Sequence, residues 1–323
     1  MFGADPLDEF DTIDRLFRPL AAGSPEALGL MDDAAVLPGR PGFELVVTAD
    51  ALVEGVHFLT GDPPDLIARK LLRVNLSDLA AKGAEPYGYI AVIAWSPAWG
   101  DGERAAFARG LGEDQARFGL KLFGGDTVST TGPMTVSATL FGWVEAGRMI
   151  RRSGARVGDS LLVSGAVGDG FLGLKAAQGR LELPPAELAY LAGRYRLPEP
   201  RLALRPALSQ YASAAADVSD GLLADAGHIG EASGVGVMID LDRLPVSAAA
   251  ALCGAPLLDL ATGGDDYEIV CTAAAVQVEA LQAAAMAAGA PLTVVGRVVE
   301  GQGVSAHSGG QPVALERLGW RHT

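Results

Sequence analysis

The residues of this 323-residue chain that could do chemistry are chiefly aspartates set beside apolar segments. Asp32-Asp33 precedes Ala-Ala-Val-Leu, Asp50 closes a β-branched run, Asp78 falls inside a helix-like pattern, and Asp126 follows two glycines. Asp217 and Asp220 frame Val218-Ser219 ahead of another helix-like run. Aspartate is a poor residue for strand and helix interiors, so each position asks for a reason. Taken singly, each has an ordinary one: turn formation at Asp32 and Asp126, N-capping at Asp220, a solvated helix face at Asp78. Taken together, they favour a cage for several hard cations such as Mg2+, which bind carboxylate oxygens along with substrate phosphates.

Familiar motifs narrow the choice. No G-x-x-x-x-G-K-[ST] occurs, which removes a P-loop kinase. One G-x-G-x-x-G occurs, Gly168-Asp-Gly170-Phe-Leu-Gly173, after a predicted strand and opening a predicted helix. With 42 glycines in the chain a chance match is expected, and no acidic residue ends a following strand about 20 positions on. A plain strand-to-helix turn is therefore favoured over a dinucleotide site. H-E-x-x-H is absent, and His57, His228, His307 and His322 show no ligand spacing, which argues against zinc.

Charge supports a metal route to phosphate. The formal net charge of −14 repels polyphosphate backbones and argues against nucleic acid as a partner. Hydrophobic residues at 49% and charged residues at 20% exclude a disordered or fibrous chain. Cys253 and Cys271 lie in apolar surroundings and read as buried free thiols, not a disulfide framework. The acidic N-terminus lacks a basic leader region, and no apolar run approaches the ~18 residues of a spanning helix. A soluble cytoplasmic protein without a membrane partner is predicted. The sequon Asn75-Leu76-Ser77 is then a chance match.

The elements that must position these residues follow from periodicity. Strands are predicted over 44–50, 87–96, 121–123 and 135–145, alternating with helices over 65–82 and 103–118. Asp65 is placed as the N-cap of the first helix and Gly83 as its stop. That helix puts Asn75, Asp78 and Lys82 at i, i+3 and i+7, a polar stripe bordered by Leu71 and Val74 that leans toward a pocket. Residues 146–158 are basic and glycine-bearing and mark a boundary, in line with a prior of about two domains for this length. Beyond it, strands are predicted over 160–164, 236–241, 267–272 and 292–299, with helices from 171 and over 201–211, 222–233 and 274–288. The alternation predicts an α/β or α+β architecture.

Several segments, in order, resemble one known family. They are Asp32-Asp33-Ala-Ala-Val, the run from Thr48-Ala49-Asp50 to His57-Phe58, Val74-Asn75-Leu-Ser-Asp78-Leu-Ala-Ala-Lys82-Gly, and Gly124-Gly125-Asp126-Thr127. Arg152-Ser-Gly-Ala, Gly158-Asp159, Asp217-Val-Ser219-Asp220-Gly-Leu and Gly263-Gly264-Asp265-Asp266-Tyr267-Glu268 continue the series. The chain is similar to the thiamine-monophosphate kinase family, within the PurM-like superfamily of ATP-binding enzymes related to aminoimidazole ribonucleotide synthetase. The resemblance implies transfer of the γ-phosphoryl group of ATP, as co-substrate, to thiamine monophosphate. It implies Mg2+ ligands at Asp33, Thr48, Asp50, Asp78, Asp126, Asp217 and Asp220. Of these, Asp33, Asp50, Asp126, Asp217 and Asp220 would be catalytic. Gly125, Asp126, Arg152 and Ser219 would contact ATP, and His57, Asp265 and Trp320 the thiamine substrate. The implied architecture is an α/β (α+β) two-domain PurM-like fold. An N-terminal sheet domain, residues 1–147, forms a barrel in a homodimer, and a C-terminal α/β domain, residues 148–323, borders the site in the cleft between them.

The implied reaction suits the charge pattern, because two anionic phosphates must meet and the work is neutralisation and in-line positioning. The acceptor phosphate is already ionised at pH 7, so no general base is required. Three positions depart from the family pattern. Met31 replaces a glycine and would hold Asp33 differently, Ala49 removes a threonine hydroxyl, and Asp265 stands one methylene short of the usual glutamate. Structural readings also exist for His57, as a polar loop residue, and for Trp320, as a hydrophobic clasp on the tail. Alternatives to the kinase are another PurM-like ATP-dependent enzyme or a catalytically silent nucleotide-binding homologue. Selenophosphate synthetase would want a cysteine near the N-terminus, and a hydrogenase-maturation member one at the C-terminus; no cysteine precedes Cys253, and the chain ends in Thr323.

Overall fold

Alternation of apolar and polar residues builds the first half around one sheet. The computed structural model describes residues 8–320 and divides the chain into two units: Met1–Leu76 with Glu85–Ala146, and Ser77–Ala84 with Gly147–Thr323. In the first unit the short helices α1 (Glu9–Thr12) and α2 (Arg18–Ala21) precede β1 (Phe43–Val53), α3 (Pro64–Ala81, which belongs to the second unit from Ser77 on), β2 (Glu85–Trp95), α4 (Asp101–Phe118), β3 (Leu122–Ser129) and β4 (Thr135–Glu145). The sheet order is β1-β4-β2-β3; β4 runs antiparallel to both neighbours and β2 pairs parallel with β3. One face buries Val46, Leu52, Ala91, Ile93, Val136 and Leu140, while Leu45, Val47, Val92 and Val128 of the other are exposed. Helix α3 is buried on nearly all sides, including Lys70 and Arg73, and Arg73 pairs with the fully buried Asp114 of α4 at 2.6 Å.

The second unit contains β5 (Ser160–Ser164), α5 (Asp169–Ala177), α6 (Pro185–Arg196), α7 (Arg205–Tyr211), β6 (Ala214–Val218), α8 (Leu222–Ser233) and β7 (Gly236–Asp240). It continues with α9 (Ala248–Cys253), α10 (Leu257–Thr262), β8 (Glu268–Ala273), α11 (Val278–Ala287), β9 (Leu292–Val299), β10 (Gly303–Ser308) and β11 (Gln311–Val313). Its seven-stranded sheet has the order β11-β10-β7-β9-β5-β8-β6. Alternate residues of β5 and β6 enter different cores. Leu161, Val163, Ala216 and Val218 pack with Leu222, Ala226 and Ile229 of α8, whereas Leu162 and Ala215 pack with Leu208 of α7 and Leu281 of α11. The sheet is thus covered on both faces, which is why its strands read as continuous apolar runs.

Several expectations need correction. The predicted strand over 121–123 extends to Ser129, so Gly124, Gly125 and Asp126 lie within β3 and not in a turn after it. Asp65 is the second residue of α3 and not its N-cap, while Gly83, with φ of +72°, does stop the chain after that helix. Gly221, not Asp220, is the N-cap of α8. Cys253 is half-buried, whereas Cys271 is buried; both are free. Asn75, Leu76 and Ser77 are all fully buried in α3, in keeping with a chance sequon. Among the described residues, no helix is long and apolar enough to cross a membrane. His322 lies outside the described residues.

Candidate active site

In the first unit, strand register and one braced loop bring part of the candidate set together. Asp33, Gly125 and Asp126 line a cavity of about 500 Å3 whose wall includes Phe17 and Leu30. Asp126 is fixed by its pairing opposite Val92, and Gly125 is demanded by packing, since a Cβ there would run into the carbonyl of Ala91. Asp33 donates its backbone N–H to Asp32 Oδ1 at 2.8 Å. The preceding segment is anchored by Glu26, whose Oε1 accepts from Tyr87 Oη at 2.6 Å and Lys121 Nζ at 3.0 Å and whose carbonyl accepts from Val36 N–H at 2.9 Å. Burial opposes ionisation of Glu26, but the Tyr87 and Lys121 bonds outweigh it and hold the carboxyl below its usual range. Burial, helped by Glu26, pushes Tyr87 up to about 12.

Met31 does not disturb this loop as expected. Its φ of −111° is open to any residue. The left-handed backbone falls instead on Leu28, Gly29 and Leu30, at φ of 51°, 70° and 55°. Thr48 and Asp50 sit half-buried on β1, opposite Leu140 and Ala138, and are not among the residues lining the cavity. His57 Nδ1 accepts the Val53 N–H at 3.0 Å, so in the neutral ring the proton rests on Nε2. Lys70 Nζ donates to the His57 carbonyl at 2.9 Å and fixes the residue further. His57 is therefore an oriented imidazole whose Nδ1 braces its own loop.

In the second unit, the segment 214–220 is the hub. Lys82 Nζ donates to the Ala215 carbonyl at 2.8 Å, which ties the end of the Asp78 helix to β6. Ala215 N–H donates to the Arg151 carbonyl at 3.1 Å, next to Arg152. Asp265 N–H donates to Ser219 O at 2.8 Å, and Trp320 N–H to Asp220 O at 2.9 Å. Ser219, Asp220, Asp265 and Trp320 thus meet just past the end of β6, while the Lys82 and Arg151 bonds fall near its start. Trp320 is 55% exposed and is not itself a buried clasp, while Leu315 and Leu318 just before it pack against the core. Of the polar stripe, Asp78 and Lys82 are half-buried, while Asn75 is fully buried and turns back to donate to Leu71 O at 2.9 Å. Burial and then Arg152 lower the Lys82 ammonium, with Asp217 and Asp78 opposing.

The sequence reading did not single out three supporting groups. Asp225 Oδ2 accepts the N–H groups of both Ser219 and Asp220 at 3.1 Å, and burial followed by the nearby Asp220 raises its carboxyl to about 7. Ligand atoms of Asp220, Asp225 and His228 lie within 4.8 Å of one another. The i, i+3 spacing of Asp225 and His228 on the predicted helix was the available signal. Second, Asp266 is a buried carboxylate directly after Asp265. Burial pushes Asp266 well above the usual carboxylate range, against the Gly168 and Gly170 N–H groups it accepts from. Third, Glu268 accepts from Ser164 Oγ at 2.6 Å, Arg194 Nη2 at 2.9 Å and Arg201 Nε at 2.6 Å.

Residues 31–144 match the N-terminal domain, and residues 156–309 the C-terminal domain, of AIR synthase related proteins. Fold and site thus define an AIR synthase related protein of two α/β domains. The chain is 55% identical to the thiamine-monophosphate kinase of Caulobacter vibrioides, across 99% of this chain and 92% of that one. A solved thiamine-monophosphate kinase from Stenotrophomonas maltophilia K279a superposes with a TM-score of 0.84 at 41% identity, covering 95% of this chain and 98% of that one. AaThiL complexed with AMPPCP and TMP matches all of both chains at 29% identity, with a TM-score of 0.79. The chain belongs to the thiamine-monophosphate kinase family.

Proposed function

We propose that this chain transfers the γ-phosphoryl group of ATP to the phosphate of thiamine monophosphate, giving thiamine diphosphate and ADP. The observation that carries the reading is the meeting of Asp33, Gly125 and Asp126 at one cavity in a chain 55% identical to a named thiamine-monophosphate kinase. The complex of AaThiL with AMPPCP and TMP supports the same pair of substrates.

The donor set fits Mg2+ in type: hard carboxylate oxygens, exposed at Asp33 and Asp126 and half-buried at Asp50 in the first unit, half-buried at Asp78 and Asp220 and buried at Asp217 in the second, with the Thr48 hydroxyl on β1. Those seven residues would hold the ions, which when bound supply charge neutralisation for phosphate oxygens. The chain's own groups do the rest. Gly125 offers its strand backbone to the nucleotide, Arg152 presents a forked donor to phosphate, and Ser219 offers a hydroxyl at the hub. His57, Asp265 and Trp320 face the thiamine portion, where an exposed indole suits a cationic thiazolium. An acceptor phosphate oxygen forms a bond to Pγ as the bond from Pγ to the β-bridging oxygen breaks, and ADP leaves with that electron pair. No proton need be taken from the acceptor.

The reading includes a first domain of residues 1–147 and a second of residues 148–323. It includes a homodimer formed through the four-stranded sheet, supported by the exposed Leu45, Val47, Val92 and Val128 on one of its faces. The free thiols fit a reducing cytoplasm.

The test is incubation of the purified protein with ATP, Mg2+ and thiamine monophosphate, followed by chromatographic separation of the thiamine esters. Thiamine diphosphate and ADP should form in equal amounts and neither should form with a chelator present. ATP binding without diphosphate would favour a silent homologue.

A further inference from the structure

The G-x-G-x-x-G segment has no place in the reaction as described, and its glycines are nonetheless all engaged. A Cβ at Gly173 would run into Leu191 O of α6, and one at Gly170 into Asp265 O. Gly168 takes φ of +88°. The two N–H groups that such a turn directs at a phosphate in a dinucleotide fold are already occupied, because Gly168 N–H donates to Asp266 Oδ2 at 2.7 Å and Gly170 N–H to Asp266 Oδ1 at 2.9 Å. Each carboxylate oxygen takes one N–H, and Asp266 is 1% exposed.

What this bidentate latch holds is strained. Asp265 and Tyr267, on either side of Asp266, both adopt left-handed backbone at φ of 70° and 52°, which residues with a Cβ occupy only when their surroundings impose it. Burial alternates along the same stretch: Asp266 and Glu268 are buried, while Asp265 and Tyr267 are half-exposed. Asp265 N–H and Tyr267 N–H each donate at 2.8 Å to the hub, at Ser219 O and Val218 O. Arg194 joins the latch to the next buried carboxylate, with Nη2 donating to Asp266 O at 3.3 Å and to Glu268 Oε1 at 2.9 Å. We propose that the 168–170 turn is an internal carboxyl site filled by Asp266, and that Asp266 is a positioning residue which fixes the left-handed Asp265 for contact with the acceptor substrate. The proposal rests on the reading of Asp265 as a thiamine contact.

An asparagine at 266 keeps the size but can accept at only one of its two terminal atoms, so one glycine N–H loses its partner. Steady-state kinetics of D266N, D265A and the double variant, with each substrate varied separately, test the proposal. For D266N, KM for thiamine monophosphate should rise about tenfold while KM for ATP stays within about twofold. In the D265A background, D266N should add less than about twofold, because the residue it positions is gone. Equal rises in both KM values, full additivity, or no change would each overturn the proposal. Should D265A raise KM for thiamine monophosphate while D266N does not, the positioning role falls and the reading of Asp265 stands. Should D265A leave that KM unchanged, the reading of Asp265 falls first and the proposal with it. If D266N does not fold, G170A decides: its added Cβ displaces the Asp265 carbonyl with Asp266 intact, and it should show the same selective rise. A G170A enzyme with unaltered KM for thiamine monophosphate would overturn the proposal.

Discussion

The two units hold their candidate residues by different means. In the first, Asp126 is placed by the β2–β3 register and Asp33 by a short loop, and both side chains are exposed. In the second, Ser219, Asp220 and Asp265 are held by backbone bonds to carbonyls and to buried carboxylates, with Asp225, Asp266 and Glu268 all 1% exposed or less. A strand ladder fixes a residue through bonds the side chain does not share. A buried carboxyl group fixes it through acceptor atoms that are themselves costly to leave unsatisfied. Chemistry and stability should therefore separate in the first unit and coincide in the second.

The largest expected effect tests the second half of that contrast. Glu268→Gln would leave the guanidiniums of Arg194 and Arg201 without their shared counter-charge in a largely dry setting. Breaking a buried pair from one side costs about 3–5 kcal/mol. Urea unfolding should register that loss even though Glu268 is assigned no contact with substrate. A loss below about 1 kcal/mol would mean that the second unit is held by its apolar cores alone and that the contrast is false.

The next effect tests the first half. Asp126→Ala should lower kcat/KM at least a hundredfold, in the range lost when one electrostatic stabiliser of a transition state is removed, or about 2.7 kcal/mol. Its melting midpoint should stay close to that of the parent, since the side chain is exposed and its position is set by backbone pairing. A variant that melted much lower would show that the first unit also ties its fold to its chemistry.

This asymmetry also explains what could be read from sequence. The elements with clear periods, β4, β5, α8 and β9, coincide with the predicted spans residue for residue. Helix α6 was missed because Pro184-Pro185 looks like a break, although proline is well tolerated in the first turn. Strand β6 was missed because Ala214-Ala215-Ala216 lacks β-branched residues; burial on both faces overrides that weak propensity. Every candidate site residue except Trp320 could be named from its motif, yet their supports could not. That Asp266 turns inward while Asp265 stays at the surface depends on left-handed backbone at 265 and 267, which no pattern of residue types announces. Likewise, nothing in the sequence distinguishes Asp225 from any helical carboxylate; its role rests on the Ser219 and Asp220 N–H groups that the fold brings to it.

The smallest expected effect sharpens the contrast by probing its exception, since Glu26 is a buried carboxylate that braces a site loop in the first unit. Glu26→Gln keeps an acceptor for Tyr87 but gives up the charge that pairs with Lys121, and Lys121 is 35% exposed, so solvent screens part of the loss. A destabilisation of about 1 kcal/mol is expected at pH 7. Its pH dependence has a definite sign. The folded protein holds the Glu26 carboxyl below its ordinary value of 4.5, so the charge contributes stability at and above that pH and ceases to contribute as pH falls through the lower folded value. The gap between parent and variant should therefore be constant from pH 7 down to about 4.5 and close on further acidification, read by denaturant titrations at stepped pH. A gap that widened toward acid would mean that burial outweighs the Tyr87 and Lys121 bonds. Glu26 would then be a strained carboxylate, the loop carrying Asp33 would be held by its backbone alone, and the candidate site of the first unit would lose this resemblance to that of the second.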